Sequence, residues 1–359
     1  MKKSHFKTLL LVAILAAVLL VAACGNGNGD EAAGDTAADG TDTIILYSNA
    51  ITDGRGDWIQ ERAAAELGID VQFVDMGGVG LANRLRAERY NPLGDVVFGL
   101  NQLLWADLIG DDVLESYTPP WASEVPAHLN NRYGYFHAVA LMANLLIYDT
   151  EQFSPAEAPT DWLDLWNDER FHGRHAFSQA LTGSTTHMIL SGIFTRFLDP
   201  SGHLGVSAEG WANIQGKYST GVNLLGEDLF ATIALEDNDV AMGQMWHTGK
   251  PVRAEQFEVA AAYVSPAIGV PFSVEGVALI NGANNPDAAK RFIDWFGSAE
   301  TMNAFGIEFN YLPANPNAHN GLPADILEIA ALRHQDINWD VISANMESWL
   351  EHIYLTYMQ

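Results

Sequence analysis

Thr43-Ile44-Ile45-Leu46-Tyr47-Ser48 is a compact apolar run, of the kind a strand buried on both faces requires. Asp57-Trp58-Ile59-Gln60-Glu61-Arg62 follows with three alanines and a stop at Gly68. Asp57 is expected to cap that helix, with Gln60 reciprocating three residues on. Ile69 to Val74 reads as a second strand, Leu81 to Arg89 as a second helix, and Asp95-Val96-Val97-Phe98-Gly99 as a third strand. Strand, helix, strand, helix, strand is the opening of a parallel sheet covered by helices on both faces.

The alternation returns later in the chain. His175 to Ser178, Val222 to Leu225, Val240 to Trp246 and Val259 to Ser265 read as strands. Thr186 to Phe197, Ala208 to Tyr218 and Leu229 to Glu236 read as the helices between them. Asn285-Pro286-Asp287 opens a helix with a capping residue and a proline at its first position, and that helix stops at Gly297. Asp340 to Met358 has apolar residues at helical spacing and closes the chain as a surface helix. Two apolar stretches, Tyr135 to Tyr148 and Pro271 to Ile280, exceed what one strand needs and suit crossovers between two lobes. The expected division is 43–138 with 272–318 as one lobe and 139–271 as the other. Residues 319–359 form C-terminal helices that pack on both. A cleft at such a lobe interface is a favoured ligand site.

The N-terminal residues bear on the compartment. Lys2, Lys3 and Lys7 precede an unbroken apolar run from Leu9 to Ala23, which as a helix spans roughly 22 Å against the roughly 30 Å of a bilayer core. Residues 1–23 therefore read as an export signal. The run ends Val21-Ala22-Ala23-Cys24, which resembles a bacterial lipobox, and Cys24 is the only cysteine of the 359 residues. Cys24 is expected to take a lipid, leaving no thiol for a disulfide. Residues 24–42, rich in Gly, Asn, Asp, Ala and Thr, read as a tether with little to bury. The chain carries 45 acidic against 18 basic residues, a net charge of −27, and loss of the three leading lysines makes this more negative. Nucleic acid and anionic lipid surfaces are excluded as partners, so membrane contact is expected through the lipid alone.

Taken together, export signal, lipobox, tether and βαβ lobes resemble the extracellular solute-binding lipoproteins of ABC importers, in particular the branch that holds ferric-iron and thiamine binders. Three segments carry this: Gly80 to Leu85 through Asn91 to Val97; Arg132 to Phe136 through Leu146 to Asp149; and Glu275 to Ile280 with Asn285 to Asp294. The resemblance implies an α/β, two-lobed type II periplasmic-binding fold, each lobe a mainly parallel sheet flanked by helices. It implies a small polar or charged solute, such as a thiamine-like organic cation, delivered to ABC permease subunits by a monomer held at the outer face of the cytoplasmic membrane. Ferric iron or an iron chelate is the alternative cargo. Iron binders of this branch place two adjacent tyrosines after an Asp-Val-Ala strand, whereas Asp239-Val240-Ala241 is followed here by Met245-Trp246-His247. Thiamine binders place a carboxylate in the turn before the Asn-Arg-Leu helix, where Gly77-Gly78 stands here.

Candidate ligand contacts sit at strand ends and helix starts. Tyr47, Ser48 and Asn49 end the first strand, and Asn101 follows the third; each also reads as a turn residue. Gly78 and Gly80 flank a helix start, where amide groups favour anions and glycine allows close approach. Thr182, Ser184 and Thr185 form a hydroxyl-rich phosphate or carboxylate seat, although helix capping accounts for at least one of them. Trp246, His247 and Thr248 lie where the family places ligand contacts, with the indole as a stacking face for flat or cationic ligands. Glu275 stands among apolar residues and needs a partner, which could be a ligand cation, Arg132 or a backbone amide. Tyr311 could close the cleft from the far side. No metal site and no cofactor is expected, since the histidines lack zinc-like spacing. A secreted hydrolase would need a Gly-x-Ser-x-Gly elbow or a His-Glu-x-x-His helix, neither of which occurs. A ligand-sensing co-receptor uses the same cleft and is not separable from a transporter subunit by sequence.

Overall fold

A computed structural model describes residues 42–358. The segment read as an export signal, Cys24 and most of the segment read as a tether lie outside the described residues. The strands are β1 (Asp42–Ser48), β2 (Ile69–Asp75), β3 (Val96–Gly99), β4 (Leu114–Glu115), β5 (His137–Asp149), β6 (His175–Phe177), β7 (Leu198–His203), β8 (Val222–Asn223), β9 (Met242–Trp246), β10 (Ala261–Tyr263), β11 (Phe272–Ile280) and β12 (Leu312–Pro313). Helices α1 (Arg55–Leu67), α2 (Gly78–Glu88) and α3 (Gln102–Gly110) follow the first three strands. Next come α4 (Asp164–Asn167), α5 (Ser184–Phe194), α6 (Ala208–Thr220), α7 (Leu229–Ile233) and α8 (Gly249–Gln256). The chain closes with α9 (Pro286–Phe296), α10 (Ala299–Phe309), α11 (Ala324–Ala330) and α12 (Trp339–Tyr357).

The sheet order is β2-β1-β3-β11-β5-β9-β6-β8. Strands β1, β2 and β3 pair in parallel, as do β6, β8 and β9, while β5 and β11 run antiparallel to their neighbours. Strand β5 belongs to both halves. His137 to Ala143 pair with β11, and Asn144 to Tyr148 pair with β9. This is an α/β fold of two lobes joined through the long apolar stretches that the sequence marks as crossovers.

Each lobe buries its own aromatic core. Phe98, Phe296 and Phe305 interlock in one, with Phe98 and Phe296 edge to face at 4.8 Å. Trp166, Phe171, Phe194 and Trp211 form the other, where α12 contributes Met346, Trp349 and Ile353. Asp95 binds strand to helix: its carboxylate accepts from the amides of Ile45 at 2.9 Å and Asn285 at 2.8 Å. Among the described residues no helix is long and apolar enough to cross a membrane.

Three local expectations are corrected. Helix α1 starts at Arg55 behind Gly54 (φ 83°), so Asp57 lies inside its first turn and caps nothing, and Gln60 donates to the carbonyl of Val71. Asn285 precedes α9 but its side chain donates to the carbonyl of Thr43 instead of capping. Helices α3 and α10 were not anticipated: Gln102 to Gly110 is apolar almost all round and shows no clear 3.6-residue stripe.

Candidate functional site

A cleft of about 620 Å³ opens where the two halves of the sheet meet. One wall is the loop after β1, with Asn49, Thr52, Asp53 and Arg55, and the start of α2 at Gly77 and Gly78. The facing wall holds Thr182 to Thr186 at the start of α5, the start of α7 with Asp228, and Trp246 and Arg253. The floor is β5 and β11, which present Met142, Asn144, Ser273 and Glu275, and Tyr311 completes it.

Two helices aim their first turns at this space from opposite walls. Gly77 precedes α2 and Gly183 precedes α5, and neither helix has a side-chain cap. Their leading amide groups therefore remain as donors, reinforced by the positive end of each helix dipole. Gly78 packs closely: a Cβ there would stand 2.9 Å from Leu104 Cδ1 and would displace that side chain. Ser184 accepts a 2.9 Å bond from Asn101 Nδ2, which ties the start of α5 to the start of α3. Thr186 accepts at 2.8 Å from Gln244.

The charges lie in two groups. Arg55 is 5% exposed; it donates to Thr52 O at 2.6 Å, to Asp53 at 3.1 Å and to the Tyr311 hydroxyl at 3.4 Å. Beside it, burial pushes the Glu275 carboxyl up to about 7, against the opposing pull of Arg55 and the Tyr311 hydroxyl. Glu275 Oε2 is buried without a hydrogen-bond partner. Tyr311 is raised well above the ordinary phenol range, first by burial and then by Glu275. In the second group Arg253 donates from Nε to Asp228 at 3.0 Å, while its Nη1 is buried and unpartnered.

Eight of the residues marked in the sequence line this cleft: Asn49, Gly78, Thr182, Ser184, Thr185, Trp246, Glu275 and Tyr311. Six do not, which corrects the expectation for each. The Tyr47 hydroxyl donates to Glu88 at 2.6 Å on the α2 side of the sheet, and burial with that bond raises it to about 12. Ser48 accepts from the Ala50 amide. Gly80 lies within α2 and faces solvent. Asn101 is the N-cap of α3, accepting from Leu103 and Leu104, and reaches the cleft only through its bond to Ser184. His247 is buried and accepts from the Ala143 amide, and burial holds it down to about 3. Thr248 is buried against Met142. The Trp246 ring is covered on one face by Arg253 at 4.6 Å, so that face is not free to stack. The charged neighbour of Glu275 is Arg55, not Arg132.

Arg55, Arg253 and Asp228 escaped the sequence reading. The one available signal is rarity: arginines placed just after a strand end are conspicuous in a chain with 18 basic residues. Among the described residues no group of three or more His, Cys, Asp or Glu is arranged to hold a metal ion.

A family model described as bacterial extracellular solute-binding protein matches residues 57–328. The probable ABC transporter periplasmic-binding protein y4fP of Sinorhizobium fredii (strain NBRC 101917 / NGR234) is 33% identical over 320 residues, covering 89% of this chain and 87% of that protein. Among solved structures, iron-bound HitA from Pseudomonas aeruginosa superposes with a TM-score of 0.72 at 17% identity, covering 87% of this chain and 99% of HitA. AfuA from Actinobacillus pleuropneumoniae, with exogenous fructose-6-phosphate bound, gives 0.72 at 15% identity, covering 89% and 99%. At such identities the superpositions speak for the fold alone. The matched span and the relative that is one-third identical place the chain in the family: it belongs to the bacterial extracellular solute-binding proteins, as the substrate-binding component of an ABC transporter.

Proposed function

We propose that the cleft captures a small organic anion, a phosphate ester or carboxylate that also carries a hydroxyl or amine, and delivers it to the permease. The observation that carries this reading is the pair of uncapped helix N-termini, α2 and α5, that face one cleft from opposite walls. Such termini favour negative charge, and the unpartnered Nη1 of Arg253 adds a charged donor. The unpartnered Oε2 of Glu275 accepts the hydroxyl or amine at the other end of the solute. A ligand that bonds both walls at once stabilises the closed form by its differential affinity for it.

A thiamine-like cation fits this chemistry less well, because the helix termini oppose it. Ferric ion asks for several charged oxygen donors. In the cleft lining the one phenol is Tyr311, and burial keeps it protonated and favours the protonated form of Glu275 up to about pH 7. In this reading Cys24 carries the lipid anchor and the folded part acts as a monomer.

The test is thermal unfolding of residues 25–359 with hexose phosphates, aminophosphonates, carboxylates, thiamine and ferric citrate. A true ligand at a hundred times its dissociation constant stabilises by about 2.7 kcal/mol. The reading requires an anionic organic compound to give this shift. Stabilisation by thiamine, or by ferric citrate where citrate alone gives none, with none by the other anions, overturns it.

A further inference from the structure

The strands that floor the cleft have a reverse face. On β11, Ser273 and Glu275 line the cleft, while Phe272 and Val274 line a separate concavity of about 500 Å³. On β5, Met142 and Asn144 face the cleft and Leu141 the concavity. Successive side chains of a strand point to opposite sides, so the two spaces lie back to back across the crossover strands.

The walls of this second space are fixed by hydrogen bonds. In the loop from His128 to Arg132, Asn130 accepts from the Ala138 amide at 2.9 Å and donates to Ala122 O at 2.9 Å. The opposite wall, His334 and Gln335, is held to Val270 through Val270 N to Arg333 O at 2.8 Å and Gln335 N to Val270 O at 2.9 Å. Gln335 Nε2 also donates to Gly192 O at 2.6 Å. The Gln102 amide joins the third side to β11, bonding Phe272 O at 2.8 Å and Val274 N at 3.0 Å.

Its chemistry is the reverse of the surface around it. The chain has 45 acidic and 18 basic residues, yet the lining contains Arg132, His128 and His334 and no carboxylate. Phe136, Phe272 and Trp339 add aromatic rings. The His334 ring already lies flat on Phe272, 3.9 Å between centroids at 17°, and Arg132 stacks on Tyr133 at 4.5 Å. Protonation of His334 is suppressed first by partial desolvation and then by His128, and an anion bound beside them offsets that repulsion.

We propose that this concavity behind the crossover strands is a second binding site, for a small aromatic anion whose ring lies against Trp339 and whose carboxylate or phosphate meets Arg132, His128 and His334. The probe is indole-3-acetate, with indole-3-acetamide as its uncharged control, titrated calorimetrically into residues 25–359. One saturable site is expected for the acid, at least tenfold weaker for the amide. The double variant Arg132→Gln, His334→Gln should weaken the acid at least tenfold, and Arg132→Gln alone severalfold. Both side chains are exposed, and unchanged unfolding midpoints establish that the variants are folded. Arg253→Gln, in the cleft, should leave the affinity unchanged. The proposal is overturned by no binding to the unaltered protein, by binding indifferent to the double variant, or by binding lost in Arg253→Gln.

Discussion

Arg55 and Arg253 face the same cleft from opposite walls and are built for different tasks. Arg55 is buried, and its donors are taken by Thr52, Asp53 and Tyr311. It ties the β1 loop to Tyr311, just ahead of β12, and supplies the positive charge beside Glu275. Arg253 stands on the short helix α8 over Trp246, shares one edge with Asp228 and leaves Nη1 unpartnered. A saturated arginine organises a wall, and an unsaturated one is available to a ligand.

The largest effect should come from breaking the saturated side. Arg55→Met leaves the Thr52 carbonyl and the Tyr311 hydroxyl without their buried donor and should cost about 3 kcal/mol in urea unfolding; an unaffected midpoint would show that Arg55 is no anchor. Next is the carboxyl it faces. Glu275 holds its proton to about pH 7 in the folded chain, against 4.5 as its reference value. Between these pH values the folded chain keeps a proton that the unfolded chain has released. Its contribution to stability therefore falls as pH rises through that window and is flat above it, at most about 3 kcal/mol in all. Glu275→Gln should remove this fall, so the variant's stability relative to wild type should rise from pH 5 to pH 8.

The unsaturated side should respond in affinity. Arg253→Gln should weaken the anionic ligand about ten- to hundredfold, the worth of one charge-assisted hydrogen bond, with little change in unfolding midpoint. Asp228→Asn gives the smallest effect and sharpens the contrast. Asparagine keeps the cap on Phe230 and Ala231 but releases Arg253 from its ion pair, so affinity should rise, by about fivefold at most. A fall in affinity would mean that Asp228 orients Arg253 for binding.

Legibility in the sequence follows the range of the interactions. Strands β1 to β3 and the crossovers could be read because burial on both faces writes itself as apolar runs such as Ile44 to Tyr47, and as the mainly apolar Phe272 to Ile280, broken only where Ser273 and Glu275 turn to the cleft. Seats built on local chain, Gly78 and Thr182 to Thr185, could be read for the same reason: the helix start that makes them is local. Tyr47 and His247 could not be placed, because the direction of a side chain at a strand end depends on where pairing stops. Arg55 was invisible because its contact with Tyr311 spans 256 positions. Asn101 was recognised as a polar residue at a strand end, but its capping role required knowing that α3 begins there.

The amides at the starts of α2 and α5 belong to the main chain. A recognition element of this kind has no side chain to lose, and only a change of backbone path at Gly77 or Gly183 can remove it. Over evolutionary time, preference for a negative group should therefore be the slowest property of this cleft to drift. Discrimination among solutes, which rests on side chains such as Glu275 and Arg253, is open to single substitutions. Descendants of such a chain would be expected to change cargo within a charge class before they leave it.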